Sequence, residues 1–204
     1  MLKKRIVILG GGTFAYVRNH LAIAAPAFGT TARQLHQLLP NSQLVLTRMA
    51  AADSKIETNQ DVSNLIAQLL LDDEVGGIVM NVAMCDYDGQ IGELKSGEYA
   101  ERLKSRGGQQ LMKLTPSQKV ISTIKKQRSD IILVGFKTTT NHSPKEQIQK
   151  AERMILESDC DFVLANDVVT RNNMLITRGT CIISTKDRKK TIEQLAERLE
   201  RKVV

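Results

Sequence analysis

Three consecutive glycines follow a short apolar run near the amino terminus, and glycines in this position are suited to contact a phosphate. Gly10, Gly11 and Gly12 precede Thr13 and come directly after the apolar residues 6–9. Glycine lets a ligand approach where a Cβ would block it, and N–H groups at the end of a buried strand can bind an anion. The pattern predicts a turn that contacts a phosphate or a nucleotide; a plain tight turn is the alternative.

Polar and aromatic side chains end several other apolar runs, and they are candidates for ligand binding. An Asp after a strand can hold ribose hydroxyls or a hydrated Mg²⁺, although it can also cap a helix. The residues at these ends are Asn81, Cys85, Asp86, Tyr87, Gly135, Phe136, Asn166 and Asp167. Phe136 is a candidate face for a base, with core packing as the alternative. Thr115, Pro116 and Ser117 predict a helix start that faces the same ligand.

Strand-like apolar runs alternate with helical patterns, and this alternation must position those side chains. Strands are predicted at 5–9, 43–47, 76–81, 131–136 and 161–165, and helices near 30–39, 60–71, 117–127, 145–158 and 188–202. The alternation predicts an α/β fold with a doubly wound, mainly parallel, Rossmann-like sheet. Ligands bind such sheets beyond the carboxyl ends of the strands, where the polar residues would meet.

Two segments depart from the alternation. Residues 172–184 place apolar runs on either side of Arg178 and Gly179, which predicts a C-terminal antiparallel hairpin. Residues 86–110 are rich in Gly, Lys, Ser and Glu, which predicts a mobile loop of the kind that is often functional. Residues 1–204 are expected to form one domain.

Composition and charge exclude several classes of protein. The chain has 204 residues, of which 42% are hydrophobic, and its longest apolar run is far shorter than a membrane span of roughly 18–20 residues. Three cysteines without ligand spacing predict a reduced, cytoplasmic protein with no metal site of its own. The net charge of +7 is spread along the chain without interleaved aromatic residues. This argues against a nucleic-acid partner and favours attraction of polyphosphate or carboxylate substrates.

The glycines also satisfy the G-x-G-x-x-A fingerprint of dinucleotide-binding proteins, but two features disfavour that interpretation. Pro26 and Gly29 delay the next helix to about residue 30, whereas the fingerprint requires a helix within the motif. The second strand is followed by Arg48, not by an acid that would bind ribose hydroxyls. Arg48 would suit a 2′-phosphate, so a dinucleotide-dependent reductase stays open as an alternative.

Several short motifs, in their order and spacing, resemble the phosphopantothenoylcysteine synthetase (phosphopantothenate–cysteine ligase) family. The similar segments are 8–13 (its G-G-T turn), 19–20 (S-N-H), 80–87 (A-D-Y), 114–116 (N-P-D), 134–140 (V-G-F-A-A-E-T) and 161–168 (D-L-I-x-A-N-D-V). The last of these is the most specific. The resemblance is to a divergent, free-standing form, without the flavin-dependent decarboxylase to which this domain is often fused.

The resemblance implies a homodimeric ligase of coenzyme A biosynthesis. Its members activate the carboxylate of 4′-phosphopantothenate with CTP or ATP and Mg²⁺ to an acyl-nucleotide, which the amine of cysteine then attacks. A carboxylate is a poor electrophile until its oxygen becomes a good leaving group. The protein therefore mainly positions the reactants and neutralises developing charge.

The resemblance also implies roles for individual residues. Asn19 would assist the acyl intermediate, and Arg102 or Lys104 would contact the triphosphate. The implied nucleotide contacts are Gly10, Gly11, Gly12, Met80, Asn81, Val82, Asp86, Pro116 and Phe136. Asn166 and Asp167 are the implied substrate contacts.

The chain departs from the family at substrate and triphosphate contacts. Residues 21–29 replace an S-S-G-K-M-G stretch, and two helix lysines fall on Met154 and Ser158, with Lys150 or Arg153 as candidate substitutes. Two further hypotheses therefore stay open. One is a ligase for a different acid and amine, and the other is a non-catalytic nucleotide-binding protein on the same scaffold.

Overall fold

The structure is a computed structural model that describes residues 4–202, and every secondary-structure element named below lies in that range. The strands are β1 (Arg5–Arg18), β2 (Leu21–Ala25), β3 (Gln43–Leu46), β4 (Val75–Ala83), β5 (Tyr87–Ile91), β6 (Met112–Pro116), β7 (Ile132–Thr139), β8 (Phe162–Asp167), β9 (Asn173–Thr177) and β10 (Thr180–Thr185). The helices are α1 (Thr30–Leu38), α2 (Asn59–Leu70), α3 (Ile121–Gln127), α4 (Pro144–Ser158) and α5 (Arg188–Lys202).

Five parallel strands form the centre of the main sheet, in the spatial order β3-β1-β4-β7-β8. Counted along the chain, this is the doubly wound order 2-1-3-4-5. β9 pairs antiparallel with β8, and β10 pairs antiparallel with β9. The prediction of a doubly wound, mainly parallel sheet with a C-terminal antiparallel hairpin is therefore confirmed.

Two hydrophobic cores lie on the two faces of this sheet. Successive residues of a strand point to opposite faces, so Val7 and Leu9 join the core under α2, α3 and α4, whereas Ile8 joins the core under α1 and α5. Both α2 and α4 begin with a capping box, formed by Thr58 with Asp61 and by Ser143 with Glu146. In the described range, every helix is too short or too polar to cross a bilayer.

The predicted glycine turn is wrong, because β1 continues through the three glycines to Arg18. Neighbouring chain segments pack directly against these glycines. A Cβ on Gly12 would lie 2.0 Å from the carbonyl oxygen of Ala25, and one on Gly11 would lie 2.1 Å from Oγ1 of Thr47. Gly11 also has a φ of +110°, a backbone conformation that residues with a side chain rarely adopt. Close packing of the backbone therefore accounts for glycine here without a turn.

Past the stretch of β1 that pairs with β3, residues 13–18 of β1 (the β1 extension) pair with β2 as an antiparallel hairpin, which adds β2 to the same eight-stranded sheet. The sequence patterns predict neither a strand nor a helix between residues 9 and 30, so they do not reveal this hairpin. Its outer turn contains Asn19 and His20. The hairpin carries these residues away from the carboxyl edge of the parallel strands.

A second correction concerns the predicted loop 86–110 and the predicted helix start at 115–117. β5 and β6 form a separate antiparallel pair (the β5–β6 arm), in which Tyr87 pairs with Pro116 and Ile91 with Met112. Pro116 therefore ends a strand, and α3 begins only at Ile121. Proline is tolerated at the end of an edge strand because no ladder hydrogen bond needs its missing N–H. The part of the predicted loop from 92 to 110 contains a single 3-10 turn.

Candidate functional site

The end of β4 and the parallel part of β1, which ends at the three glycines, form the centre of the candidate site. The chain continues from β1 to β3 on one side and from β4 to β7 on the other, and ligands of doubly wound proteins bind at this switch point. In the register, Leu9 lies opposite Met80, Gly10 opposite Asn81 and Gly11 opposite Val82. The structure therefore brings together the glycines and the segment 80–82, as expected from the sequence.

Packing limits what these residues can offer to a ligand. The side chain of Met80 is buried in the core under α2, whereas Asn81 and Val82 are half-buried. The side of each glycine on which a Cβ would lie is filled by protein atoms. Nucleotide contact at the glycines stays a prediction, and it concerns their backbone alone.

A hydrogen-bond network holds the chain where it leaves β4, at Cys85. The Cys85 N–H donates to Oγ1 of Thr13 at 3.0 Å and to Oδ1 of Asn59 at 3.1 Å, and Nδ2 of Asn59 donates to the Cys85 carbonyl at 2.7 Å. The Thr13 hydroxyl donates to Oδ1 of Asn59 at 2.7 Å. We call these three residues the Cys85 network. Sequence reasoning missed Asn59, because an Asn in the first turn of a helix carries no signal for a contact this distant in the chain.

Asp86 follows this network and lies beside Pro116; nucleotide contact by either residue stays a prediction. The Asp86 carbonyl accepts a hydrogen bond from the Ser117 N–H at 2.8 Å, and the next residue, Tyr87, pairs with Pro116. The Asp86 side chain is exposed, and its carboxylate forms no hydrogen bond or ion pair within residues 4–202. Its main chain is thus fixed on both sides while its carboxylate is free to accept hydrogen bonds from a ligand.

Phe136 lies half-buried in β7, opposite Leu164 of β8. Its ring packs against the core under α1 and α5. On the other face, Met154 of α4 covers the preceding Gly135, because a Cβ there would lie 2.7 Å from the Met154 methyl carbon. Phe136 therefore has a core-packing role, and it is only half-buried although it lies three residues from the end of β7.

Asp167 ends β8, and the chain's own donors surround its buried carboxylate. It accepts hydrogen bonds from the backbone N–H groups of Asn141, His142, Val169 and Thr170, and from the Thr139 hydroxyl at 2.9 Å. Burial opposes ionisation, but these hydrogen bonds dominate and hold the pKa of Asp167 well below its usual range. The carboxylate thereby fixes the turns that follow β7 and β8.

Asn166, by contrast, is half-buried beside Thr138, whose hydroxyl donates to its Oδ1 at 3.3 Å. Its amide is only partly used by this contact. Asn166 is therefore more accessible to a substrate than Asp167.

The predicted catalytic residues form a second cluster, at the tip of the β1–β2 hairpin. Asn19 is exposed, and its N–H donates to the Ala100 carbonyl at 3.1 Å. The loop after Ala100 borders an open cavity of about 680 Å³ next to this turn. The cavity is lined by His20, Arg102, Leu103, Lys104, Ser105, Arg106, Gly108 and Gln110. Three cationic side chains and a histidine make it a suitable place for an anion.

Arg18 lies next to this cluster and is another residue that sequence reasoning missed. Its side chain is 1% exposed. Its guanidinium donates to the carbonyl oxygens of Val17, at 2.6 Å, and Ile91, and its Nε has no partner among the described residues. Carbonyl groups, not a carboxylate, therefore stabilise this buried charge, and they attach the end of β5 to the hairpin.

The two clusters are separated along the β5–β6 arm. Asp86 precedes β5, whereas Ile91 ends it and contacts Arg18, the neighbour of Asn19. At about 3.4 Å per residue, these two ends of the arm lie about 17 Å apart. The structure therefore does not bring Asn19 of one chain to Asp86 of the same chain.

Met154 and Ser158, the positions at which the resemblance would place two helix lysines, carry no cation. Met154 covers Gly135, and Ser158 is buried at the end of α4. Of the candidate substitutes, Arg153 pairs with Glu157 at 2.6 Å, and Lys150 is exposed. Within residues 4–202, no three His, Cys, Asp or Glu side chains come together as a metal site. A Mg²⁺ ion at this edge would depend on nucleotide phosphates and water for most of its ligands.

The strand order defines a doubly wound α/β domain whose switch point lies between β1 and β4. Residues 22–203 match the family described as the DNA/pantothenate metabolism flavoprotein C-terminal domain. The chain belongs to this family, which is that of phosphopantothenoylcysteine synthetase, as the sequence motifs predicted.

Two curated relatives agree with this assignment. A coenzyme A biosynthesis bifunctional protein CoaBC from Thermococcus kodakarensis is 33% identical over 101 residues, which cover 48% of this chain and 25% of that protein. The protein of the same name from Methanocaldococcus jannaschii is 23% identical over 173 residues, or 80% of this chain and 40% of that protein. The chain thus matches less than half the length of either relative.

Solved structures have the same fold at low sequence identity. The DNA/pantothenate metabolism flavoprotein from Streptococcus pneumoniae superposes with a TM-score of 0.82 at 18% identity, covering 97% of this chain and 99% of that one. A Cab2 mutant in complex with phosphopantothenate-cysteine superposes with a TM-score of 0.64 at 12% identity, covering 98% and 86%. These likenesses establish the fold.

Proposed function

We propose that this chain is a nucleotide-dependent acid–amine ligase that joins 4′-phosphopantothenate to cysteine in coenzyme A biosynthesis. The observation that carries the proposal is the family match over residues 22–203, and the fold shared with a protein solved with phosphopantothenate-cysteine supports it. We expect the reaction to take place in the cytoplasm.

The proposed reaction has two steps. A carboxylate oxygen of the acid attacks the α-phosphorus of CTP or ATP, and pyrophosphate leaves with its Mg²⁺. The amine nitrogen then attacks the acyl carbon, the nucleoside monophosphate leaves with the C–O electron pair, and the amine loses a proton. The protein supplies no covalent intermediate of its own, so its contribution is to position the reactants and stabilise charge.

We assign the base and ribose of the nucleotide to the carboxyl edge of the parallel strands, and its triphosphate and the acyl group to the tip of the β1–β2 hairpin. In this assignment, the exposed Asp86 carboxylate accepts hydrogen bonds from the ribose hydroxyls, and Phe136 and Pro116 contact the base. The backbones of 10–12 and 80–82 line the nucleotide site. Arg102 and Lys104 contact the triphosphate, and the Asn19 amide hydrogen-bonds the acyl group. Asn166 contacts the acid substrate, whereas Asp167 acts by fixing the loop beside it.

A homodimer reconciles these assignments with the geometry. Because about 17 Å of β5 separates Asp86 from the hairpin tip, one small reaction centre needs the tip of a second copy. The β5–β6 arm exposes apolar side chains that a second copy would cover, since Tyr87 is 47% exposed, Met112 42% and Leu114 49%. We therefore propose that the site is shared between two subunits.

Pyrophosphate release tests the ligase proposal directly. Purified protein with Mg²⁺, CTP or ATP, 4′-phosphopantothenate and cysteine should release pyrophosphate, and omission of the acid should abolish the release. Release with another acid and amine, but not with these two, would identify the different-substrate ligase instead. Absence of release with any nucleoside triphosphate would refute both.

Complementation tests the shared site. At a nucleotide concentration well below the KM of Asp86→Ala, Asn19→Ala and Asp86→Ala should each have little activity. Co-expression of both should restore about a quarter of wild-type activity, because half of the dimers then hold one intact site. Light scattering on the same samples gives the oligomeric state. A dimer without restored activity, or a monomer, would contradict the shared site.

A second candidate is a nucleotide-binding protein without catalysis. It is favoured by the loss of cations at Met154 and Ser158, which leaves α4 with few groups to bind a triphosphate. In that case, nucleotides should raise the melting temperature of wild type and of Asn19→Ala equally, with no turnover. A panel of CTP, ATP, NADPH and FMN also tests the dinucleotide alternative.

A further inference from the structure

We infer that Asn59 is a positioning residue for nucleotide binding, because it fixes the main chain from which Asp86 presents its carboxylate. The inference rests on the proposed function, since it assumes that Asp86 contacts the nucleotide. It concerns a residue on α2 that lies outside every motif of the resemblance described above.

The geometry of Asn59 is the first argument. Its amide side chain bonds both polar atoms of the Cys85 backbone, with the N–H at 3.1 Å and the carbonyl at 2.7 Å. The Asn59 side chain therefore pairs with the backbone N–H and carbonyl of Cys85, as a neighbouring strand would. Cys85 is 4% exposed, so its backbone groups have no alternative partner in water.

The location of these bonds is the second argument. They join α2 to the point where β4 ends, and Thr13 adds β1 to the same network through its hydroxyl. Thr13 is fully buried. Three elements are thus tied together at the switch point, one residue before Asp86.

The state of Asp86 is the third argument. Its carbonyl is held by Ser117 at 2.8 Å, whereas its carboxylate is exposed. With its main chain fixed on both sides, the carboxylate is restricted before a ligand binds to the rotamers that this one backbone position allows. Preorganisation of this kind raises affinity by lowering the entropy lost on binding.

Asn59→Asp tests the inference with little change in shape. The substitution keeps the acceptor for the Cys85 N–H but places a carboxylate oxygen against the Cys85 carbonyl. An acid in the first turn of α2 is favourable for the helix, which limits the loss of stability. We expect the nucleotide dissociation constant and KM to rise about five- to tenfold, with kcat within about twofold of wild type. Calorimetry and steady-state kinetics measure both effects.

Asn64→Asp is the matched control, because it makes the same change on the exposed side of the same helix, where Asn64 bonds Gln60 at 2.9 Å. It should leave the nucleotide KM unchanged. An equal effect of both variants would overturn the inference, since charge on α2 alone would then explain the result.

A double-mutant cycle separates positioning from a purely structural role. If Asn59 acts through Asp86, Asn59→Asp should not weaken nucleotide binding further in an Asp86→Ala background. Additive losses would overturn the inference and leave the proposed function intact. A wild-type chain that binds neither CTP nor ATP would refute the proposed function, and the inference with it.

Discussion

Two aspartates, Asp86 and Asp167, follow parallel strands at the same edge of the sheet, and their surroundings differ completely. Four backbone N–H groups and a hydroxyl surround the buried carboxylate of Asp167, whereas the carboxylate of Asp86 is exposed and free of partners within the described residues. The same signal in the sequence, an acid after an apolar run, thus marks a stabilising residue in one place and a candidate ligand contact in the other.

Asp167→Asn should produce the largest effect of the substitutions that test this comparison. The Asn side chain would direct N–H donors at backbone N–H groups and leave buried donors unsatisfied. We expect the melting temperature at pH 7 to fall by about 5–10 °C. Differential scanning calorimetry measures it, and a change below about 2 °C would contradict a stabilising role.

The pH dependence of stability should identify the same carboxylate. Because the pKa of Asp167 is lowered by folding, its contribution is present above the unfolded-state pKa of about 4 and is lost as the pH falls through the lower folded value. The difference in melting temperature between wild type and Asp167→Asn should therefore shrink between pH 5 and pH 3. A constant difference over this range would show that ionisation of Asp167 does not contribute.

Asp86→Asn should show the opposite pattern. Because its carboxylate has no partner in the described part of the chain, we expect no measurable change in melting temperature, but an approximately tenfold weaker affinity for CTP or ATP. Asp88→Asn, two residues along the exposed arm, is the control and should leave affinity unchanged. If Asp86→Asn lowered the melting temperature without weakening nucleotide affinity, Asp86 would be a stabilising residue like Asp167, and the contrast between the two aspartates would be wrong.

Thr139→Val should give the smallest effect, because it removes one of the donors around Asp167 and leaves the backbone donors in place. We expect a loss of about 1 kcal/mol in the free energy of unfolding, measured in urea. Thr138→Val is the control, since Thr138 is exposed and its hydroxyl donates to Oδ1 of Asn166 at 3.3 Å. Equal losses for both variants would show that the hydrogen bond from the Thr139 hydroxyl to Asp167 adds no more stability than the exposed bond made by Thr138.

The alternation of strands and helices could be predicted because it depends on local periodicity. The strands at 43–47, 76–81, 131–136 and 161–165 correspond to β3, β4, β7 and β8 within a few residues. Burial of both faces of a parallel sheet requires continuous apolar runs, and these are visible in a single sequence. That residues 1–204 form one domain stays a prediction.

The predictions that were wrong concern features that depend on contacts between distant segments. Gly10–Gly12 were predicted as a turn because the close approach of residues 25–29 and of Thr47 cannot be read locally. Pro116 was predicted at a helix start because its strand partner, Tyr87, lies 29 positions earlier in the chain. The roles of Asn19, Arg102 and Lys104 depend on the resemblance to a family, since no local pattern in the sequence indicates them, and these roles stay predictions.

The buried guanidinium of Arg18 has a consequence for the order in which the protein folds. Its hydrogen bond to Ile91 joins residues 73 positions apart, so it forms only after a long loop has closed. The hairpin tip and the far end of β5 should then open together, because exposure of one frees the other. Hydrogen exchange should accordingly find amides of both segments in a single cooperative unit of lower stability than the central strands.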